Sequence, residues 1–157
     1  MKAREEEVMK ARILVVDDEK AIRLALSGLL RRSAYEVEVA EDGVRARERL
    51  AAAPFDLVIT DLALGEGPSG MDVLAAAQEL RPEAGVVMIT AHGNEKIAVQ
   101  AMKKGADDYV PKPFDNDQLR LVVRKVLDKT RLAREHRMLL EPVQREYGLD
   151  GTIGSGP

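Results

Sequence analysis

Ile13-Leu14-Val15-Val16-Asp17-Asp18 is the stretch that decides the fold: four apolar residues that run directly into two acids. A short, continuous, mostly β-branched run of this kind reads as a strand buried on both faces of a parallel sheet. Three further runs share the design. Leu57–Thr60 leads into Asp61, Val86–Thr90 ends on a hydroxyl, and Tyr109–Val110 stops just before Lys112. Open α/β sheets bind their ligands in the crevice outside the carboxyl ends of the strands. Four such ends would gather Asp17, Asp18, Asp61, Thr90 and Lys112 at one place. Clustered carboxylates repel unless a hard, oxygen-seeking cation such as Mg²⁺ lies between them. An ammonium and a hydroxyl beside them suit the oxygens of a phosphoryl group. The pattern therefore predicts a site that holds a metal and a phosphate at one aspartate.

Outward from these runs, strand-like and amphipathic segments alternate, as in a parallel sheet with helices on both faces. Lys20–Arg32 carries Ile22, Leu24, Ala25, Leu26, Leu29 and Leu30 at helical spacing. Tyr35–Ala40 alternates apolar residues with Glu36 and Glu38, which predicts an edge strand with one wet face. Asp42-Gly43 opens a second helix that reaches about Ala52. The third strand is expected over Asp56–Thr60, and a glycine-rich loop, Leu62–Ser69, leads to a helix over Gly70–Leu80. Gly85–Thr90 and Asp107–Val110 complete the strands, with a helix over Asn94–Lys103 between them and Gly105 as its cap. Asp115 or Asn116 caps the last helix.

Nothing stops that last helix from Asp117 until Pro142, whereas globular helices average ~10–14 residues. Leu119, Val122, Val123, Val126 and Leu127 can pack on the sheet. Thr130, Ala133, Leu139, Leu140 and Val143 form a sparser stripe beyond, with heptads interrupted by Lys129, His136 and Arg137. A solvated linker is one reading; a homodimerising helix is favoured, because an unpaired helix of this length is marginal in water. The expected organisation is an N-terminal extension over 1–10, a folded domain over 11–128 and a helical linker over 129–147. A tail over 148–157 then carries several glycines.

With 157 residues, 45% hydrophobic and 32% charged, the chain fits a soluble globular protein of one domain plus an appendage. A formal net charge of −3 provides no field toward nucleic acid or an anionic membrane. The absence of cysteine excludes disulfides, thiolate metal sites and a cysteine nucleophile. No apolar stretch approaches the ~18 residues of a membrane span. The opening residues lack the apolar core of a secretory signal, and the expected location is cytoplasmic.

These residues resemble the receiver domain of bacterial two-component response regulators over about residues 11–128. The resemblance implies a flavodoxin-like five-stranded parallel sheet of order 2-1-3-4-5. It also implies that Asp61 accepts a phosphoryl group from a sensor histidine kinase. Asp17, Asp18, Asp61 and the backbone carbonyl of Ala63 match the family's Mg²⁺ ligands. Thr90 and Lys112 match its conserved hydroxyl and lysine, Lys112-Pro113 its cis peptide, and Tyr109 its aromatic switch. Family members commonly place Met-Pro three and four residues after the acceptor. Here Leu64 and Gly65 stand there, Pro68 is displaced and Gly70 arrives one residue late. Thr90-Ala91-His92-Gly93, Ala98–Ala106 and Lys112-Pro113-Phe114 are similar to receivers of nitrogen-regulator-type activators. These act with the alternative sigma factor through an AAA+ ATPase, whose opening Thr152-Ile153-Gly154-Ser155 resembles. No Walker A sequence occurs, so this chain itself is not expected to bind ATP.

The chemistry agrees with the carry-over. A carboxylate is a poor nucleophile toward an anionic phosphoryl group, and Mg²⁺ reduces that repulsion. The competing enzyme is a Mg²⁺-dependent aspartyl phosphatase, which would want a second carboxylate where Ala63 stands. An FMN module would want a Ser/Thr-rich loop where Asp17-Asp18-Glu19 lies. The basic residues Arg120, Arg124, Lys125, Lys129, Arg131, Arg134 and Arg137 are interspersed with acids and read as a solvated face, with no direct nucleic-acid contact.

Overall fold

Five short strands alternate with five helices among the described residues. The computed structural model describes residues 10–91 and 93–150, with side chains as far as His136. The readings of His92, of the Leu139, Leu140 and Val143 side chains and of Thr152-Ile153-Gly154-Ser155 therefore lie outside the described residues. The strands are β1 (Arg12–Val16), β2 (Glu36–Ala40), β3 (Leu57–Asp61), β4 (Gly85–Thr90) and β5 (Asp108–Pro111). The helices are α1 (Lys20–Arg32), α2 (Gly43–Ala52), α3 (Gly70–Leu80), α4 (Glu95–Lys103) and α5 (Asn116–Asp150). All pairings are parallel and the order is β2-β1-β3-β4-β5, as expected.

Alternation along each strand divides the core in two. Ile13, Val15, Leu57 and Ile59 face Leu26, Leu29 and Leu30 of α1 and Leu119, Val123 and Val126 of α5. Leu14, Val16 and Val58 face Leu50 of α2, Leu74 and Ala77 of α3 and Ala98 and Ala101 of α4. Each fully buried leucine contributes about 1.5–3 kcal/mol, so both layers pin the central strand. The register sets Val16 opposite Thr60, Asp61 opposite Ile89 and Thr90 opposite Pro111. The polar ends of three strands are thereby level at one edge.

Local chemistry sets the boundaries. β2 is the edge strand, and it starts at Glu36 rather than Tyr35. The Tyr35 N–H instead bonds the Leu30 carbonyl at 3.2 Å, and the Ala34 N–H bonds Arg31 at 3.0 Å. With Ala34 at φ 70°, these two bonds close α1 as a Schellman motif. The Asp42 carboxylate caps α2 by accepting from the Arg45 N–H at 2.7 Å. Gly105, at φ 114°, follows the end of α4. Asp115 accepts from the Asp117 N–H at 3.3 Å at the start of α5.

α5 continues past Pro142, where the sequence reading ends it, and runs to Asp150, inside the stretch read as a tail. A proline removes one backbone donor and crowds the preceding turn, which can kink a helix without ending it. One compact unit ends at Leu127 and a separate one begins at Asp128.

The loop after β3 shows what its altered spacing does. Leu64 is buried, while Gly65 and Gly67 take φ of 73° and 89°. The Gly70 N–H bonds the Leu62 carbonyl at 2.9 Å. A Cβ on Gly70 would lie 2.2 Å from the Asp61 carbonyl oxygen, whereas one on Gly67 would meet nothing within 4 Å. The late glycine thus allows α3 to start against the backbone of the strand end. Gly70→Ala is expected to cost about 3 kcal/mol, the upper end of the overpacking range. Gly67→Ala should cost about 1 kcal/mol, from its left-handed φ alone. Urea unfolding of both variants checks the order, and equal losses would contradict the close approach.

Candidate functional site

β1 delivers Asp17 into a fully buried position. Its N–H bonds the Ala40 carbonyl at 3.2 Å, and its Oδ1 accepts from the Glu19 N–H at 2.9 Å. The carboxylate therefore folds back over its own turn. β3 delivers Asp61, which is 5% exposed. Its Oδ1 accepts from the Ala63 N–H at 3.0 Å, and its Oδ2 accepts from Lys112 Nζ at 2.7 Å. β4 ends in Thr90, whose buried Oγ1 has no hydrogen-bond partner. The Lys112 N–H bonds the Thr90 carbonyl at 2.7 Å, which ties the turn after β5 to the end of β4. Lys112-Pro113 is cis, as the resemblance implies.

The Lys112 ammonium is shared. Besides Asp61 it lies 3.1 Å from Glu19 Oε1 and 3.2 Å from Asp17 Oδ2. The last contact is an ion pair only, since Asp17 Oδ2 is buried and accepts no hydrogen bond. Partial burial works to lower the Lys112 pKa, but the bonds to Asp61 and Glu19 and the charges of Asp61 and Asp17 outweigh it. The ammonium is held above the ordinary lysine range. Burial pushes the Asp17 carboxyl above its ordinary value of 3.8, against the Glu19 N–H; the Asp61 charge adds to the rise and Lys112 opposes it.

Asp17, Glu19 and Asp61 each offer a carboxylate oxygen, and all three lie within 4.8 Å of one another. One ammonium leaves this group with excess negative charge. A buried carboxylate oxygen that accepts no hydrogen bond, in an all-oxygen set, fits a hard divalent cation such as Mg²⁺. Asp18 is exposed and lies outside this close group; its Oδ2 would be 3.4 Å from a Cβ on Gly65. Ala63 is exposed and engages Asp61 through its N–H. Tyr109 is partly buried and packs on the α2–α4 layer. The fold thus brings Asp17, Asp61 and Lys112 into contact and sets Thr90 on the neighbouring strand end. Glu19 was missed by sequence reasoning. Its signal was a third acid in succession, at a turn whose N–H folds Asp17 back.

Residues 13–124 match the family described as the response regulator receiver domain. The chain belongs to that family. The receiver is 38% identical over 133 residues to the nitrogen assimilation regulatory protein NtrX of Azorhizobium caulinodans, covering 84% of this chain and 29% of that protein. It is 40% identical over 137 residues to the alginate biosynthesis transcriptional regulatory protein AlgB of Pseudomonas aeruginosa, covering 87% of this chain and 30% of that one. The crystal structure of the receiver domain of NtrX from Brucella abortus superposes with a TM-score of 0.71 at 38% identity, covering 74% of this chain and 98% of that chain. The similarity to nitrogen-regulator-type receivers is thereby borne out. The receiver spans less than a third of the length of the curated relatives named here. Among its described residues no helix is long and apolar enough to cross a membrane.

The position of Asp17 has a consequence for stability. A carboxyl whose folded pKa is raised binds its proton more tightly in the fold than in the unfolded chain. Stability is then lost as pH rises from near 3.8 through the raised folded value, and the loss is complete above it. Asp17→Asn cannot ionise and escapes that loss. Without divalent cations its urea midpoint should exceed the parent's at pH 7, with the gap shrinking toward pH 4. Added Mg²⁺ should narrow the gap at pH 7 by stabilising the parent alone. A midpoint below the parent's at pH 7 without metal would contradict this account.

Proposed function

We propose that this receiver is the phosphorylation switch of a two-component system, accepting a phosphoryl group on Asp61 from a sensor histidine kinase. The observation that carries the reading is the Asp61 carboxylate, almost fully buried at a strand end and bonded to Lys112 at 2.7 Å. In the transfer an Asp61 oxygen bonds phosphorus while the bond from phosphorus to the donor's leaving group breaks. Catalysis of such a step rests on positioning and charge neutralisation. Asp17, Asp18, Asp61 and the Ala63 carbonyl would hold Mg²⁺, which when bound offsets the charge on the carboxylate and phosphoryl oxygens. Lys112 would follow the charge from the carboxylate to the new phosphoryl group. Thr90 has a buried hydroxyl with no other claim on it, and it would donate to a phosphoryl oxygen. Tyr109 would then turn into the space that Thr90 leaves. Such a change is a population shift, bounded by the difference in contacts between the two states.

Asp61→Asn retains the shape and loses the nucleophile. Incubated with acetyl phosphate and Mg²⁺, the parent is expected to gain a single phosphoryl group by intact mass, located to Asp61 by peptide mapping. Asp61→Asn should gain none, and Asp18→Asn should need more Mg²⁺. Phosphorylation of Asp61→Asn at the parent's rate would refute the assignment. Rapid turnover of many phosphomonoesters would instead favour the phosphatase reading, which has no carboxylate at Ala63 to support it.

The kinship with NtrX and AlgB supports a place in transcription regulation, with the receiver controlling a downstream AAA+ ATPase domain from the cytoplasm. The proposed coupling element is α5, through a homodimer. Leu132 on this helix is 61% exposed, and burying a leucine recovers roughly 1.5–3 kcal/mol, less the entropy of association. A symmetric pair would set two ATPase domains side by side. Truncation after Lys129 is expected to give monomers that still accept phosphate on Asp61. Light scattering of the intact chain, with and without beryllofluoride as a phosphoryl mimic, checks the dimer. A monomer under both conditions would leave a solvated linker helix.

A further inference from the structure

One peptide joins the two acids that follow β1. The paired residues of β1 end at Val16, opposite Ala40 and Thr60, so the Asp17 carbonyl falls beyond them. It accepts instead from Arg23 Nη1 of α1 at 2.7 Å. The Arg23 N–H bonds the Glu19 carbonyl at 3.1 Å. One residue thus grips the turn twice, through its backbone and through its side chain.

Local helix chemistry gives no reason for an arginine here. The N-terminal end of a helix carries partial positive charge and disfavours a cation. α1 opens Lys20-Ala21-Ile22-Arg23, with no acid in its first turn as an offset. Among the described residues Arg23 forms no ion pair. Its side chain is committed to the strand-end carbonyl.

That bond bears most on Asp18. Asp17 is held independently, by its N–H on the Ala40 carbonyl and by its Oδ1 on the Glu19 N–H. The Asp18 carboxylate is exposed and makes no hydrogen bond or ion pair among the described residues. Its place is set by the backbone that carries it. A peptide is planar, so fixing the Asp17 carbonyl oxygen also fixes the direction in which the chain enters Asp18.

We propose that Arg23 is a positioning residue for Mg²⁺ at the Asp61 site, holding the Asp17–Asp18 peptide so that both carboxylates meet the ion from one backbone geometry. This rests on the reading of Asp17, Asp18 and Asp61 as metal ligands. The field of the guanidinium alone has the opposite sign. A cation beside the site repels Mg²⁺, and its removal would tighten binding.

The test titrates the intact ¹⁵N-labelled chain with Mg²⁺ alone and follows the Asp18 and Asp61 amide signals. Arg23→Met keeps an apolar stem and removes both the charge and the donors. Its Mg²⁺ midpoint should rise roughly tenfold, the low end of the loss when a group that orients a metal ligand is removed. Arg23→Lys keeps a charged donor on a long stem and should recover most of the affinity. With acetyl phosphate, Arg23→Met should be slow at limiting Mg²⁺ and regain rate as Mg²⁺ saturates. Val126→Ala trims a buried side chain on α5 and costs stability without removing a bond to the turn. It should keep the parent's midpoint. An Arg23→Met midpoint equal to or below the parent's, an equal rise in Val126→Ala, or a rate that saturating Mg²⁺ fails to restore overturns the role of Arg23 and leaves the metal site standing. If Mg²⁺ moves neither amide signal in the parent, the ligand reading fails and this inference fails with it.

Discussion

One ammonium holds together a group of charges that would otherwise drive one another apart. Lys112 touches Asp61, Glu19 and Asp17 at 2.7, 3.1 and 3.2 Å, and three carboxylates share this single cation. Parallel topology creates the difficulty, because every strand presents its carboxyl end at the same edge. It also supplies the remedy, since the turn after β5 arrives there too. Each carboxylate has a partial claim on the cation, and none is fully neutralised.

The backbone keeps that balance from relaxing. Asp17 is tied to β2 through the Ala40 carbonyl, and Lys112 to β4 through the Thr90 carbonyl. Asp61 is closed in by the start of α3, where only a glycine fits against its carbonyl. A side chain anchored this way cannot retreat from a repulsive neighbour by shifting its strand. The raised pKa of Asp17 records the result: burial and the Asp61 charge together oppose its ionisation. Packing on both faces of the sheet supplies the stability that the site gives up.

Much of this was legible in the residues because the signals were short-range. Four apolar runs, each ending in a group of distinct chemistry, announced the strands and the edge at which they meet. Alternation over Tyr35–Ala40 announced the edge strand. What escaped depended on backbone detail. Tyr35 was lost to β2 because Ala34 closes α1 in a left-handed conformation, a position where glycine is the usual sign. Glu19 escaped because its part depends on where the Lys112 side chain comes to rest, ninety-three residues further along the chain. Pro142 looked like a stop because proline usually is one. In a helix of 35 residues the loss of one bond did not end the run.

Two buried atoms remain without hydrogen bonds at the strand ends, Asp17 Oδ2 and Thr90 Oγ1. A buried polar atom left unpaired costs roughly 1–3 kcal/mol; Thr90 Oγ1 carries that penalty, while Asp17 Oδ2 has only its share of the Lys112 ammonium at 3.2 Å. They differ in what relieves them. The carboxylate oxygen can only accept, so it wants a cation or a donor. The hydroxyl can donate, so it can serve an anion that arrives afterwards. A ligand that satisfies either recovers the penalty as binding free energy, and it stabilises the fold to the extent that it binds the native state alone. The site therefore holds two demands of opposite kind, more positive charge at β1 and a hydrogen-bond acceptor at β4, with Asp61 on the strand between them. That order across the sheet would let a cation and an anionic group be received together by a surface that, taken alone, repels anions.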